Sequence, residues 1–278
     1  MPRPVAFLSD YGLADEFVGV CHSIWVAQAP GVAIIDLTHE IPAHDVRAGA
    51  LALVRSVQYL PDEAVVVAVV DPGVGTDRRL VGVQVGAVTL LGPDNGLLAP
   101  AAAMLGGADL VVDITNADCQ IPAPGPTFAG RDILAPVAAL VAMGTPLTAL
   151  GERVDLASLI PGLLGVPVVR DDGVIDAQVW WIDRFGNCQL NLGAEELIEC
   201  GVAPGGLVEI HLGGRAKSAR WVTTYAEAKP SELVVLIDSY GLAALALDRA
   251  SAANEYSLAP GASVVLVPPG VTPEGIGQ

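Results

Sequence analysis

Basic residues are scarce in this chain. Its 278 residues include 14 Lys and Arg against 31 Asp and Glu, which leaves a formal net charge of −17 at pH 7. Such a charge repels phosphate backbones, so we expect no nucleic-acid partner. Aromatic residues are also few, at 5%, although 52% of the chain is apolar. That apolar content is too high for a disordered chain and predicts a folded protein with a sizeable core.

Long apolar runs and export signals are lacking as well. The segment that comes nearest to a membrane span, residues 133–150, is interrupted by Pro136, Gly144 and Pro146, whereas a span needs about 20 mostly apolar residues. The N-terminus has neither the apolar stretch nor the small-residue cleavage site of a signal peptide. We therefore expect no membrane association and a cytoplasmic location.

The common metal and cofactor motifs are missing. The cysteines at positions 21, 119, 188 and 200 form no C-x-x-C pair, so we expect small buried apolar side chains instead of zinc ligands or a redox pair. The chain has no Walker loop, no complete G-x-G-x-x-G and no G-x-S-x-G elbow. His39 and His44 are five residues apart with Pro42 between them, which does not fit a helical zinc pair. We therefore expect neither a metal nor a cofactor.

What the chain does have is an alternation of apolar runs with helix-like segments over its first 165 residues, which is typical of an α/β fold. The predicted strands there are 5–9, 33–37, 64–70, 80–85, 88–91 and 110–113, and the predicted helices are 16–28, 47–59, 99–105 and 133–143. Shorter strands at 174–182, 207–212, 218–222, 233–237 and 263–267 predict a smaller β-barrel or β-sandwich. We predict an N-terminal α/β domain at 1–165 with a central, mostly parallel sheet, a C-terminal β domain at 170–268 and a tail at 269–278.

Acidic loops follow three of the predicted strands, at Asp10, Asp71 and Asp94. Because ligands of α/β sheets collect at the carboxyl ends of strands, three such loops favour a shared polar pocket over three ordinary turns. A carboxylate at Asp10 suits the two hydroxyls of a ribose. Asp71 and Arg78, seven residues apart, are predicted to form a charge-assisted pair that holds a water, the alternative being a surface ion pair. The spacing favours Arg78 over Arg79.

Three later segments carry further candidates, each with a structural alternative. Phe128 either stacks on a base or belongs to the core. Asn187 offers a donor and an acceptor that match an adenine edge, or else it forms a turn. The turn that contains Ser239 ends another predicted strand.

Seven segments occur in a fixed order: FLSDYG, THEIPAHDV, VVDPGVGTDRR, LGPDNGLL, PTFAGRD, IDRFGN and DSYGL. Together they resemble the S-adenosylmethionine hydroxide adenosyltransferases, relatives of the fluorinase and chlorinase enzymes, and the resemblance runs from about Phe7 to Pro268. It implies an N-terminal α/β domain, a C-terminal β-barrel and a homotrimer whose active sites lie between neighbouring subunits. It also implies S-adenosyl-L-methionine as the substrate, without a cofactor.

The implied chemistry is displacement at the ribose C5′ by an oxygen or halide nucleophile, with release of L-methionine. A sulfonium is already a good leaving group, so the protein mainly positions, desolvates and activates the nucleophile. The halogenating relatives have Tyr where this chain has Asp71, and the fluorinase has Thr where it has Val74. Because the Asp71 carboxylate would repel a halide, we expect water as the nucleophile and adenosine as the second product.

Residue roles follow from the resemblance. Asp71 and Arg78 match two members of an Asp-Arg-His set, and the His is replaced by Ala129, which cannot exchange a proton. The loss either slows hydrolysis or is compensated by another group such as His44. The implied substrate-binding residues are Asp10 at the ribose diol, Phe128 as a pocket wall with Thr127 and Gly130 beside it, Asn187 at adenine with Asp183 and Phe185 nearby, and Ser239 at the methionine carboxylate. We predict a slowed S-adenosylmethionine hydrolase; the alternatives are a non-catalytic adenosyl-ligand binding protein and a halogenase.

Overall fold

The computed structural model describes residues 1–162 and 164–271 and divides the chain into two compact units. The first unit spans residues 1–164 and the second begins at Gly165. Of the predicted tail, residues 272–278 lie outside the described part of the chain. Among the described residues, no helix combines the length and apolar character needed to cross a bilayer.

The first unit is a sheet of seven strands with helices packed on it. The strands are β1 (Val5–Ser9), β2 (Ile34–Thr38), β3 (Val65–Val69), β4 (Leu80–Val85), β5 (Val88–Pro93), β6 (Leu110–Asp113) and β7 (Glu152–Val154). The helices are α1 (Phe17–Gln28), α2 (Val46–Val57), α3 (Ala99–Met104) and α4 (Ala135–Ala142). The spatial order of the strands is β2-β1-β3-β5-β4-β6-β7. β1 pairs in parallel with β2 and β3, and β3 with β5, whereas β4 and β7 run against their neighbours.

The centre of this sheet is buried on both faces. Every residue of β1 and β3 is buried, as expected for continuous apolar runs covered by crossover helices. α1 packs against α4, and α2 packs against α3. The buried Trp25 indole donates a hydrogen bond to the Ala135 carbonyl at 2.9 Å, which joins α1 to the start of α4.

The register of the central strands positions the acidic loops. Ser9 at the end of β1 lies opposite Val69 at the end of β3. Because the two strands run in parallel, the loops that follow them leave the same edge of the sheet. This places Asp10 and Asp71 in neighbouring loops.

The second unit is a closed barrel. Its strands are β8 (Val168–Val169), β9 (Ile175–Ile182), β10 (Cys188–Gly193), β11 (Leu207–Leu212), β12 (Arg215–Trp221), β13 (Val234–Ile237), β14 (Leu242–Ala246) and β15 (Ser263–Val267), with short helices α5 (Ala194–Glu199) and α6 (Ala252–Tyr256). The strand order is β10-β14-β13-β12-β11-β15-β9-β8, and pairing of β10 with β9 closes the ring. Its interior is apolar, with Val179, Leu190, Ile210 and Leu245 fully buried.

The fold class predicted from the sequence is confirmed, and the differences lie in individual elements. The strands and helices expected in the first unit are present with ends shifted by a few residues, and β7 was not expected. In the second unit, β8, β10 and β14 were not expected. Three of the four cysteines are buried and Cys119 is half-buried. Burial raises the pKa of the Cys21 and Cys188 thiols to about 12, so both remain protonated at neutral pH.

Candidate active site

The loop after β1 presents Asp10 at the edge of the sheet. Its carboxylate accepts a hydrogen bond from the His44 backbone N–H at 2.9 Å. Gly12 has a φ of +65° and its N–H donates to the His39 carbonyl at 2.7 Å. The loop is thus held against the segment that follows β2, and Asp10 is half-exposed.

The loop after β3 folds back so that the Arg78 guanidinium binds the Asp71 carboxylate. Gly75 adopts a φ of +81°, a conformation that glycine takes without strain. Arg78 Nε lies 3.0 Å from Asp71 Oδ1 and 2.8 Å from Oδ2, and Arg78 Nη2 lies 2.6 Å from Oδ2. The Asp71 side chain is only 5% exposed and that of Arg78 17%. A bidentate pair this well buried fixes the orientation of the carboxylate.

The neighbouring arginine makes a different pair. Arg79 donates to the carboxylate of buried Asp94 and to the Ser158 carbonyl at 2.6 Å. Asp94 in turn accepts the Ile160 N–H at 2.8 Å. Arg79 therefore joins the loop that carries Asp94 to the segment that carries Ser158. Of the two arginines, Arg78 is the one that contacts Asp71.

The PTFAGRD segment forms an aromatic wall beside these loops. The Phe128 ring packs edge-on against Tyr11 and Phe17, with centroid separations of 5.6 and 5.1 Å. The Arg131 guanidinium lies 4.9 Å from the centre of the Phe128 ring and pairs with Asp132 at 2.6 Å. These contacts orient Phe128 and leave the arginine in a structural role.

Gly130 begins a short π-helical turn, Gly130–Leu134, that leads into α4. A Cβ added at Gly130 would lie 2.1 Å from the Tyr11 hydroxyl oxygen. Only glycine therefore permits the approach of Tyr11 to this turn. Burial, helped by the nearby Cys21 and Asp10, raises the pKa of Tyr11 well above 10, so its hydroxyl stays a neutral donor.

These three loops enclose a cavity of about 410 Å³. Its lining includes six of the residues predicted from the sequence, namely Asp10, Asp71, Thr127, Phe128, Ala129 and Gly130, together with His44. Tyr11 and Phe17 also line it, and sequence reasoning missed them although Tyr11 stands next to Asp10 in the FLSDYG motif. The cavity therefore combines a carboxylate at each of two strand ends with an aromatic wall.

Ala129 occupies a particular place in this unit. It is 5% exposed and borders both the 410 Å³ cavity and a second cavity of about 620 Å³ that Arg78 also lines. The position is therefore shared by the linings of both cavities. Of the three predicted catalytic residues, Ala129 is the one whose side chain cannot exchange a proton, and it is also the one that borders both cavities.

The remaining predicted residues lie in the second unit. Asp183 accepts the backbone N–H groups of Phe185 and Asn187 at 2.9 Å each and the Asn187 side-chain amide at 2.8 Å. All three line a cavity of about 700 Å³ that also contains Tyr225 and Ser251. The Phe185 ring is 71% exposed. This supplies a polar edge and an exposed aromatic ring, which are suited to a planar heterocycle.

Ser239 is exposed in the turn between β13 and β14 and is not among the residues that line this cavity. Asp238 holds the turn by accepting the Tyr240 N–H at 2.8 Å and the Leu242 N–H at 3.1 Å. Within the described residues, one group of side chains has the chemistry of a metal site: His22, Asp36 and His39. It does not include His44.

Comparison with known proteins gives a consistent result over both units. The SAM hydroxide adenosyltransferase N-terminal domain matches residues 5–151, and the C-terminal domain of that name matches residues 177–265. A Salinispora tropica protein named (R)-S-adenosyl-L-methionine hydrolase is 43% identical over 94% of this chain and 96% of its own. A fluorinase from an Actinoplanes species is 26% identical over 94% and 96%. A crystal structure of a conserved protein from Thermotoga maritima matches with a TM-score of 0.88 and 30% identity, covering 95% of this chain and 99% of that one.

Proposed function

This chain belongs to the SAM hydroxide adenosyltransferase family, and we propose that it hydrolyses S-adenosyl-L-methionine to adenosine and L-methionine at the cavity lined by Asp10 and Asp71. The observation that carries the proposal is the bidentate Asp71–Arg78 pair at the edge of that cavity. A carboxylate in this position attracts a water hydrogen and repels a halide. This favours hydrolysis over halogenation.

The proposed reaction is an in-line displacement. The water oxygen forms a bond to C5′ of the ribose while the C5′–sulfur bond breaks, and the sulfur keeps the bonding electrons as the methionine thioether. The proton lost by water passes to the Asp71 carboxylate or to solvent. Arg78 is a positioning residue, because it holds the carboxylate and does not itself face the reacting carbon. Asp10 accepts the ribose hydroxyls, and Phe128 and Tyr11 exclude water from the opposite side.

The alanine at position 129 leads us to propose a reduced rate of hydrolysis. No proton-exchanging side chain stands at that position, and loss of a general acid–base residue costs about 10²- to 10⁴-fold in rate. His44, whose backbone already binds Asp10, is the proposed partial substitute because it lines the same cavity. The Ala129 substitution is also what favours the second candidate function, a binding protein that holds the substrate without turnover.

We propose roles for the remaining residues from the family resemblance of the sequence. Asn187, with Asp183 and Phe185, takes the adenine, and Ser239 takes the methionine carboxylate. We propose a homotrimer with active sites between neighbouring subunits, which analytical ultracentrifugation tests directly. The cytoplasmic location stays a prediction.

The decisive experiment is a product analysis. The chain is incubated with the (R) and (S) sulfonium epimers separately, since the relatives' name specifies the (R) form, and products are separated by chromatography. Hydrolysis gives adenosine and L-methionine, and ¹⁸O from labelled water enters the adenosine 5′-hydroxyl. Unchanged substrate with measurable affinity would support the binding protein. A 5′-halo nucleoside formed in added chloride or fluoride would support the halogenase.

A matched pair of variants tests the role of Asp71. Asp71→Asn keeps the shape and removes the charge, so we expect turnover to fall by about 10²-fold or more with substrate affinity retained. Asp77→Asn changes an exposed acid of the same loop and should leave turnover unchanged. Equal rates for the two variants would remove Asp71 from the reaction.

A further inference from the structure

Away from the cavity, three side chains with metal-ligand chemistry converge. His22 lies on α1, Asp36 on β2 and His39 just after β2. The Nε2 atoms of His22 and His39 lie 2.9 and 3.0 Å from the same atom, Asp36 Oδ1. All three ligand atoms lie within 4.8 Å of one another. Two imidazole nitrogens and one carboxylate oxygen are a common ligand set for divalent transition metals.

The His39 Nε2 atom is the strongest indication that a cation binds here. The His39 side chain is 3% exposed, and among the described residues its Nε2 is buried without a hydrogen bond. It lies 3.0 Å from Asp36 Oδ1 without the alignment of a hydrogen bond, and that oxygen already receives a hydrogen bond from His22 Nε2. A buried polar atom of this kind costs free energy unless it is satisfied.

Neither neutral tautomer of the His39 ring gives its Nε2 atom a favourable partner. His39 Nδ1 lies 2.8 Å from the buried Ser9 hydroxyl. With the proton on Nδ1, the ring donates to Ser9 and leaves an unprotonated Nε2 only 3.0 Å from Asp36 Oδ1, so that the electron-rich atoms of both groups repel each other. With the proton on Nε2, a buried N–H has no well-directed acceptor. A cation between the two groups resolves the first case, because both lone pairs then become ligands.

The surroundings hold the ligands in place. Ser9 supplies the outer hydrogen bond that metal-binding histidines usually make through their second nitrogen. The Phe7 ring packs against the rings of His39 and His22, with centroid distances of 4.7 and 6.2 Å. Phe7 also lies opposite Asp36 in the sheet register. The Asp36 side chain is 44% exposed, so solvent has access to complete the coordination.

We propose that His22, Asp36 and His39 bind one divalent transition-metal ion of the Zn²⁺ class. The ion would brace α1, β2 and the loop that carries Asp10. Ser9 accepts the Tyr11 N–H at 3.3 Å, and the His39 carbonyl accepts the Gly12 N–H at 2.7 Å. Through these bonds the site would support the loop that carries Asp10, although none of its three residues is among those that line the 410 Å³ cavity.

The test uses Zn²⁺ alone on the full chain after treatment with a chelator, with no substrate present. Titration calorimetry is run in a large excess of Ca²⁺, which prefers oxygen ligands and occupies nonspecific carboxylates on this acidic protein. We expect saturation at one Zn²⁺ per chain and a rise in melting temperature with Zn²⁺ concentration. Co²⁺ substituted for Zn²⁺ should give visible absorption bands that report imidazole ligation.

Variants assign the ligands. His22→Ala and Asp36→Asn should each weaken Zn²⁺ binding by about tenfold or more, because even the outer hydrogen bonds of a metal site contribute about 10- to 100-fold. His211→Ala is the matched control, since His211 also pairs with a carboxylate, Glu209, at 2.6 Å but lies in the second unit; it should bind Zn²⁺ normally. Circular dichroism in chelator verifies that each variant is folded. The proposal is overturned if no saturable site survives the Ca²⁺ excess, or if folded His22→Ala and Asp36→Asn both bind as tightly as His211→Ala.

Discussion

Ala129→His is the substitution that most directly tests how this site works. Ala129 is 5% exposed and borders cavities of about 410 and 620 Å³, so an imidazole has space on either side. The two facing loops approach closely here, since a Cβ added at Gly75 would lie 3.5 Å from the Pro126 carbonyl oxygen. Position 129 lines the same cavity as Asp71 and Phe128.

The expected gain follows from the chemistry of proton transfer. A positioned acid–base residue contributes about 10²- to 10⁴-fold, which corresponds to about 2.7 to 5.4 kcal/mol of transition-state stabilisation at 1.36 kcal/mol per factor of ten. Inserting a larger side chain at a buried position costs about 1–3 kcal/mol of folding stability. The assay is therefore run well below the melting temperature of the variant.

The measurement is kcat and KM for adenosine release over a range of pH. Ala129→His should raise kcat with little change in KM and should introduce an ionisation near the ordinary histidine pKa of about 6.5. Ala129→Phe fills the same space without a titratable group, and Ala129→Asn offers hydrogen bonds without proton exchange. Folded Ala129→His that binds substrate but turns over no faster than the parent would refute the reasoning. An equal gain in Ala129→Phe would show that desolvation, not proton transfer, was missing.

Three further substitutions test local features of the two units. Gly130→Ala puts a Cβ 2.1 Å from the Tyr11 hydroxyl, so it should lower stability by about 1–3 kcal/mol and weaken substrate binding in calorimetry; Gly19→Ala, on the open face of α1 with nothing within 4 Å, should instead stabilise by about 0.5–1 kcal/mol. In the barrel, the hydrogen bond from Arg220 lowers the pKa of Glu232 to about 2. Because the folded pKa is the lower one, this stabilisation is present above about pH 4.5 and is lost as the pH falls toward 2, so the melting-temperature gap between the parent and Glu232→Gln should shrink over that range.

The central strands of the first unit could be predicted because each is a continuous apolar run in the sequence. β1 and β3 contain no residue that must face water, and the residue after such a run marks a strand end. The placement of Asp10 and Asp71 in neighbouring loops follows from that pattern together with parallel pairing. What sequence could not supply was Tyr11, because its role depends on the absence of a Cβ at Gly130, more than a hundred residues away.

The second unit was less predictable for a physical reason. β10 carries Gln189 and Asn191, polar residues that interrupt a strand pattern, yet both are buried. The Asn191 amide oxygen accepts the Gln178 N–H at 2.8 Å, and Gln189 donates to the Asp238 carboxylate. Buried polar groups are tolerated once they are bonded, but those partners come from other parts of the chain, Gln178 on β9 and Asp238 in the turn after β13. Periodicity within one segment cannot show them.

The paired arginines show why an ion pair alone does not identify a catalytic acid. Arg78 and Arg79 directly precede β4, and each reaches a buried aspartate after a different strand. Asp94 accepts Arg79 through one oxygen and the Ile160 N–H at 2.8 Å through the other, and it is not among the residues that line the 410 Å³ cavity. Both Asp71 oxygens are bonded by one guanidinium, and a carboxylate has about four acceptor positions. Asp71 therefore combines acceptor capacity with a place in the lining of the cavity, and this combination, which Asp94 lacks, is why we propose that Asp71 acts on a water.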